Sequence, residues 1–232
     1  MRYFIPVVRL SSELPPQQQP EDKLGGVPWG FPKQAWPLCE ECGKPQSLLA
    51  QFLHHPLRLN LGRPGRILSV FQCEHAPGMC ETWSAISGAN AVCITEPEEI
   101  ESGFTPLPST GIVQNLEVRI VEWLEREVPD GLAFENSGFD PAMTRLGGKP
   151  SWIQGEDEAP DESWQFVGQL DSLYSFFAEP GAEVQSLAVD PKRLEGRTHI
   201  CFGANFGDMG IGYIFIRVDH GFPEGWFFWQ CY

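Results

Sequence analysis

Four of the chain's seven cysteines form two pairs whose spacing suits a metal ion. Cys39 and Cys42 are separated by two residues, and Cys73 and Cys80 are separated by six. Structural zinc is held by four nitrogen or sulfur ligands in a tetrahedron, and close pairs of ligands commonly come from separate loops. The sequence therefore predicts a structural zinc site formed by these four cysteines. Four protein ligands leave no open coordination position, so the metal would hold loops together.

Two other interpretations of the same cysteines stay open. Reduced cysteines behave as small hydrophobic residues in many protein cores. A redox Cys-x-x-Cys pair is the third interpretation, and it usually opens a helix near a βαβ unit. Here Pro37 before the pair and Gly43-Lys44-Pro45 after it predict a loop.

Histidines offer further candidate ligands near these cysteines. His75 lies inside the second pair and could replace a cysteine, whereas His54 and His55 lie outside both pairs. The three remaining cysteines lie in apolar segments, and we predict that they are core residues: Cys93, Cys201 and Cys231.

A glycine-rich polar segment at residues 203–212 is the other stretch with candidate chemistry. It lacks the Lys-Ser/Thr pair of a phosphate-binding P-loop and does not open a helix. The pattern favours a β-hairpin loop with Asp208 in a turn. Asn205 and Asp208 are the first candidates for a hydrolase-type site, although the sequence supplies no catalytic set around them.

One short phrase occurs twice, as Leu24-Gly25-Gly26-Val27-Pro28-Trp29 and as Leu146-Gly147-Gly148-Lys149-Pro150-Ser151-Trp152. Paired glycines reach positive φ, and the following proline fixes φ, so the phrase predicts a structural turn. We interpret its repetition as one domain built by duplication, with two halves about a pseudo-twofold axis. The candidate binding residues are Trp29, Gln51, Trp152, Gln169, Asn205 and Asp208.

The composition of 24 glycines and 21 prolines, spread along the chain, favours many turns and short strands. We predict an α+β, β-rich fold: a single duplicated domain of two pseudo-symmetric, mainly antiparallel β halves with few short helices. An N-terminal strand and extended segment occupies 1–22, the first pseudo-repeat with the cysteine knuckle 23–110, a connecting strand or helix 111–138, and the second pseudo-repeat 139–232.

Apolar patterns place the individual elements. Strands are predicted at residues 48–53, 67–71, 89–95, 164–170, 213–218 and 226–231. Residues 116–128 fit both helical and strand spacing, and the β-branched run favours a strand. Short helical turns are predicted at Pro97 and at Asp140-Pro141. The acidic segment 151–163 is predicted to be a solvent-exposed loop.

The formal net charge of −15 limits the partners. Phosphate backbones need clustered Lys and Arg, and 16 basic residues scattered among 31 acidic ones form no basic stripe. Nucleic acid and membranes are therefore not expected as partners, whereas a basic protein or peptide is permitted. No run approaches the roughly 20 apolar residues of a membrane helix, so we expect a cytoplasmic protein with reduced cysteines.

Several short motifs follow the order of a bacterial family: Lys23-Leu24-Gly25-Gly26-Val27-Pro28-Trp29, Trp36-Pro37-Leu38-Cys39-Glu40-Glu41-Cys42-Gly43, Leu49-Ala50-Gln51, Gly210-Ile211-Gly212-Tyr213-Ile214-Phe215 and Trp229-Gln230-Cys231. On these motifs, residues 23–232 resemble the YwqG-like proteins, a family of unknown function. Related proteins often carry a Cys-Pro-x-Cys-Gly knuckle in the second half as well, which this chain lacks. The family is remotely similar to the eukaryotic programmed cell death 2 proteins, which are implicated in chaperoning a ribosomal protein. That similarity implies a module that binds other proteins.

Two functional hypotheses follow. The first is a non-catalytic, zinc-stabilised protein-binding or chaperone-like module that grips a basic polypeptide between the pseudo-repeats. The second is a hydrolase-type enzyme with its site near the Asp208 loop. A cleft lined by Trp29, Trp152 and carboxylates would favour the first hypothesis. A pocket where Asn205, Asp208 and a histidine converge would favour the second.

Overall fold

The computed structural model describes residues 1–76, 78–108, 112–129, 142–156, 159–177, 198–218 and 222–232. Within them lie twelve strands: β1 Arg2–Leu10, β2 Lys23–Leu24, β3 Ser47–Leu53, β4 Ile67–Gln72, β5 Asn90–Thr95, β6 Val118–Glu127, β7 Arg145–Gly147, β8 Gln165–Asp171, β9 Leu173–Phe177, β10 Thr198–Phe202, β11 Ile211–Arg217 and β12 Glu224–Gln230. The described helices are 3₁₀ turns at Ser11–Glu13, Lys33–Ala35 and Pro97–Glu99.

Ten of these strands form one antiparallel sheet in the order β12-β11-β8-β7-β1-β6-β2-β3-β4-β5. The long β1 and β6 ladder lies at its centre, and β7 and β2 extend the sheet on either side. Beyond them, β8, β11 and β12 on one side match β3, β4 and β5 on the other. Strands β9 and β10 pair separately with each other. The predicted β-rich, mainly antiparallel fold with few short helices is confirmed.

The two ends of the sheet come close together. A Cβ built on Gly225 in β12 would lie 3.0 Å from the carbonyl oxygen of Val92 in β5 and 2.2 Å from its Cγ1. Only a residue without a side chain allows this approach, so Gly225 lets the curved sheet nearly close. The enclosed core contains apolar side chains from both halves of the sheet, including Phe52, Leu68, Ile214 and Phe227.

The strands on each side also bury their outer faces. Phe71 in β4 packs outside with Phe31 and Trp36, which come from the segment after the first Gly-Gly turn. Phe215 in β11 packs outside with Trp152, which comes from the segment after the second turn. We call residues 27–46 the first covering segment, and residues 149–156 with 159–164 the second covering segment. They explain why β4 and β11 are apolar on both faces.

The two Gly-Gly turns have matching hydrogen bonds. Lys23 donates to the carbonyl of Val27, and Arg145 donates to the carbonyl of Lys149, four residues later in each case. Gln51 accepts from the amide of Trp29 at 2.8 Å, and Gln169 accepts from the amide of Ser151 at 3.1 Å. Their side-chain amides donate to the carbonyls of Glu21 and Met143. All four turn glycines have φ between 65° and 74°.

The bulges match too. The β3–β4 ladder skips Leu49 and the β8–β11 ladder skips Val167, each two residues before the glutamine. This equivalence supports the interpretation that the two halves arose by duplication. The same equivalence aligns Trp29 with Ser151, one residue before Trp152. The tryptophans of the two repeated phrases, Trp29 and Trp152, therefore occupy different structural positions.

The strand predictions at 48–53, 67–71, 89–95, 116–128, 164–170, 213–218 and 226–231 are confirmed within one to two residues at most ends, and so is the helical turn at Pro97. The predicted turn at Asp140-Pro141 lies outside the described residues. The hairpin predicted over 203–212 is wrong, because β10 pairs with β9 while β11 pairs with β8 and β12. The solvent loop predicted over 151–163 is also wrong in part, because Trp152, Ile153 and Ala159 cover the outer aromatic cluster.

Candidate metal centre

The first cysteine pair lies on a tight loop at the end of the first covering segment. An isolated bridge between Leu38 and Pro45 closes the loop. Inside it, the Cys39 amide donates to the Lys44 carbonyl and the Gly43 amide donates to the Cys39 carbonyl, both at 2.8 Å. Gly43 has φ 68°, which glycine adopts without the steric cost of a side chain. The predicted loop around the Cys-x-x-Cys pair is confirmed, with no helix opening there.

The second pair begins where β4 ends. Cys73 directly follows β4, and its amide donates to the Ala89 carbonyl at 2.8 Å. The chain then turns, and the Cys80 amide donates to the Ala76 carbonyl at 3.1 Å. The sheet therefore fixes Cys73, while a local turn returns Cys80 to the same place.

The four sulfur atoms converge. The Sγ atoms of Cys39, Cys42, Cys73 and Cys80 all lie within 4.8 Å of one another. The Sγ atoms of Cys42 and Cys73 lie 3.6 Å apart. Four Zn–S bonds of about 2.3 Å in a tetrahedron place sulfur atoms roughly 3.8 Å apart. The cluster therefore needs a contraction of no more than about 1 Å to fit a tetrahedral ion, and the residues present fit zinc.

Burial and backbone amides set the protonation of these thiols. Burial raises the pKa of Cys73 to about 11, although the amides of His75 and Ala76 donate to its sulfur. Burial and the three neighbouring cysteines also raise the pKa of Cys80. For Cys42, burial opposes ionisation, but the Lys44 amide and the other thiols lower its pKa overall. A divalent cation would favour the thiolate form of all four cysteines and would displace the protons that the thiols of Cys73 and Cys80 hold.

The histidines lie away from this cluster. His75 is exposed, and the group of converging ligand atoms found among the described residues contains cysteines alone. His54 Nδ1 accepts from the Leu61 amide at 3.1 Å. His55 Nδ1 accepts from the amides of Leu57 and Arg58 at 3.3 and 3.2 Å. These two histidines therefore stabilise a turn that precedes β4.

The remaining cysteines were predicted to be core residues, and the two whose side chains are described are only partly buried. Cys93 in β5 is partly buried against the outer cluster of Phe31 and Trp36, and burial raises its pKa to about 11. Cys231 is partly buried after β12. Cys201 lies in β10, where the structure describes the backbone only.

The candidate binding residues do not share one site. Gln51 and Gln169 are fully buried, and their amides hold the two Gly-Gly turns. Trp29 packs edge-on against Phe104 at 4.8 Å, whereas Trp152 lies over Tyr213 at 4.7 Å in the other half.

Asn205 and Asp208 lie on the exposed loop between β10 and β11. The Asn205 amide donates to Glu74 at 3.0 Å, and its carbonyl accepts from Gln72 at 2.8 Å. Asp208 lies in a turn, as predicted, and its carbonyl accepts from the Tyr232 amide at 3.4 Å. These contacts anchor the loop to the end of β4 and to the C-terminal residue.

The second half replaces the cysteines with a different contact. Gln51 pairs with Ser69 and Gln169 pairs with Tyr213, so Cys73 and Arg217 lie at equivalent positions four residues later. Arg217 lies 3.7 Å from Asp161, 3.4 Å from the hydroxyl of Ser163 and 4.9 Å from the ring of Trp164. In the first half the cysteine cluster lies where the covering segment meets the end of β4, and in the second half Arg217 at the end of β11 contacts the covering segment. This role of Arg217 was not predicted from the sequence; the signal that could have indicated it is that Arg217 ends its apolar segment as Cys73 ends the equivalent one.

No family model and no curated protein sequence matches the chain. Within the described residues, no helix is long and apolar enough to cross a membrane.

Proposed function

We propose that the chain is a zinc-stabilised, non-catalytic protein-binding module of the YwqG-like type, acting on a basic polypeptide. The convergence of four cysteine sulfurs within 4.8 Å carries the metal part of this proposal. Zinc fits an all-sulfur tetrahedron, and four protein ligands leave it no open position for a substrate. The cysteines would therefore hold the first covering segment against the end of β4.

The partner class rests on charge and on exposed apolar surface. The chain carries 31 acidic and 16 basic side chains, which favours encounter with a positively charged partner. Leu38, Met79 and Ile86 lie on the two cysteine-bearing loops and are 55%, 79% and 80% exposed. These side chains offer apolar contact area to a partner, which charged side chains alone would not supply. A zinc centre would keep these loops in a binding-competent arrangement.

The hydrolase-type alternative remains the second proposal. Asn205 and Asp208 are exposed on one loop, and the nearby Glu74 carboxyl is buried and accepts from both Gln72 and the Asn205 amide. Burial raises the pKa of Glu74 to about 7. Both hydrogen bonds to the Glu74 carboxyl hold the loop in place. They therefore support a role for Glu74 in anchoring the loop better than a role in proton transfer to a substrate.

The test compares the zinc-loaded protein with the chelator-treated protein under reducing conditions. A fluorescein-labelled oligoarginine peptide is titrated by anisotropy, with an oligoglutamate peptide as the control. The proposal predicts saturable one-to-one binding of oligoarginine by the zinc-loaded form, weakened by salt and weakened further when chelation loosens the loops. Equal binding by a thermally unfolded sample, or no saturable binding by the zinc-loaded form, would contradict it.

A further inference from the structure

The second covering segment leaves an open pocket of about 660 Å³ beside the outer aromatic cluster. Its walls include the rings of Trp152, Trp164, Phe166 and Phe215. Trp152 and Phe215 stack with their centroids 6.5 Å apart, and Phe166 meets Phe215 edge-on at 5.5 Å. Because Phe215 is anchored in β11, the aromatic walls of the pocket are held by the sheet itself.

Carboxylates surround this aromatic pocket. Glu156, Asp161 and Glu162 line it and are exposed, while Lys149 is the one basic residue in the lining. An aromatic face presents a negative potential, and adjacent carboxylates add to it. The pocket therefore has the two features that favour an organic cation: a ring to stack against and formal negative charge at the rim.

The protein already binds one guanidinium of its own with an indole ring and a carboxylate. Arg217 lies 4.9 Å from the Trp164 ring and 3.7 Å from Asp161, two residues that also line the pocket. It also forms an ion pair with Glu224. Trp152 offers a second indole in the same pocket, and Glu156 and Glu162 also belong to the lining. The internal contact shows how a guanidinium fits this surface.

We propose that the pocket binds the side chain of an arginine in a basic peptide, stacked against Trp152 and neutralised by Glu156 and Glu162. Arginine fits better than lysine because its planar guanidinium is weakly hydrated and stacks on aromatic faces. The inference deepens the proposed function and rests on it only for the class of partner. It adds a second contact, in the half without the cysteine cluster, where one arginine of the basic partner is recognised.

The test follows the tryptophan indole N–H signals by NMR while a capped glycine peptide with one central arginine is added. A peptide with citrulline in place of arginine keeps the shape and removes the charge. The inference predicts saturable shifts of the Trp152 and Trp164 signals with arginine only. Trp152→Leu should weaken binding roughly 2- to 30-fold, the range of a cation–π contact. Glu156→Gln with Glu162→Gln should weaken it roughly 2- to 10-fold.

The matched control is Glu122→Gln with Glu127→Gln, which removes the same charge from exposed positions on β6. This control should leave the affinity unchanged. The Glu156 and Glu162 double variant tests the pocket even if Trp152→Leu perturbs folding. Equal binding of the citrulline peptide, or equal weakening by the β6 control, would overturn the pocket assignment. If oligoarginine still binds the zinc-loaded protein in that case, the proposed function stands while the pocket assignment fails.

Discussion

At the scale of single residues, the cysteine cluster depends on where each thiol is attached. Cys73 is fixed by the end of β4. Cys39 is fixed by its loop, in which the Cys39 amide donates to the Lys44 carbonyl and the Glu40 amide donates to the Gly88 carbonyl. Cys39, Cys73 and Cys80 are buried, while Cys42 is only partly buried. A metal would thus enter past Cys42, the thiol whose pKa is lowered.

One residue-scale prediction concerns pH and His54. Burial, then the charges of His55 and Arg66, lower the pKa of His54 below its usual 6.5. In the interval between the lowered folded value and 6.5, the unfolded chain binds more protons, so stability falls as the pH falls through that interval. Protonation also converts Nδ1 from an acceptor to a donor and breaks the bond from the Leu61 amide.

His54→Asn keeps a side-chain acceptor but does not titrate. Thermal melting of this variant should lose part of the decline that the native chain shows between about pH 7 and pH 5. His75→Asn, at an exposed position, is the matched control and should melt as the native chain does at each pH. An unchanged pH profile for His54→Asn would show that another group is responsible.

The sequence predicted the residues of the cysteine cluster but not the positions of the other candidates. Paired cysteines carry their own spacing signal, whereas burial depends on the tertiary fold. Gln51 and Gln169 were therefore predicted as candidate binding residues, although the fold encloses them in the turns. Phe166 and Phe215 gave an ordinary strand pattern, and nothing in that pattern indicates that they line a pocket.

At the scale of elements, the Gly-Gly turns are joined to the sheet by one buried glutamine each. Gln169→Leu would leave the Ser151 amide without its partner, while the Met143 carbonyl would keep only its bond from Arg145 at 3.4 Å. An unpaired buried polar group costs roughly 1–3 kcal/mol, so we expect a loss of about 1–3 kcal/mol in the free energy of unfolding. Urea denaturation measures this loss directly.

Gln165→Leu is the control for this substitution, because it makes the same chemical change at an exposed position on the same strand. Its free energy of unfolding should stay within about 0.5 kcal/mol of the native value. A Gln169→Leu variant as stable as this control would show that the matched glutamine bonds do not hold the turns.

Elements were more predictable from sequence than their partners. The alternation and β-branching in 116–128 predicted a strand, and β6 spans Val118–Glu127. The strand order was not predictable, since no local pattern places β6 between β1 and β2. The hairpin expected before β11 failed for the same reason, because local turn signals do not reveal which strands pair.

At the scale of the whole molecule, the two halves use different contacts for the same purpose. The first covering segment meets the end of β4 at the cysteine cluster, and the second meets the end of β11 at Arg217. Metal removal should therefore loosen one half and spare the other. Hydrogen exchange followed by mass spectrometry should show faster exchange after chelation in residues 36–46 and 73–90.

Residues 159–171 provide the internal control, because Arg217 contacts Asp161 and Trp164 without any cysteine. Their exchange should be unchanged by chelation, and raised salt should affect them more because it screens ion pairs. Faster exchange throughout the sheet after chelation would contradict independent ties and would indicate that the metal supports the whole fold.

The measurement that tests the central claim most directly is the metal content of protein purified without chelators, by elemental mass spectrometry, beside Cys39→Ser and Cys93→Ser. We predict about one zinc per chain in the native protein and in Cys93→Ser, which lies outside the cluster, and almost none in Cys39→Ser. The Cys39→Ser variant should also melt about 10 °C lower. This shift is expected when a protein loses a ligand whose free concentration was roughly a thousand times its dissociation constant. Equal metal content in all three proteins, or no zinc and an unchanged melting temperature, would contradict the zinc site.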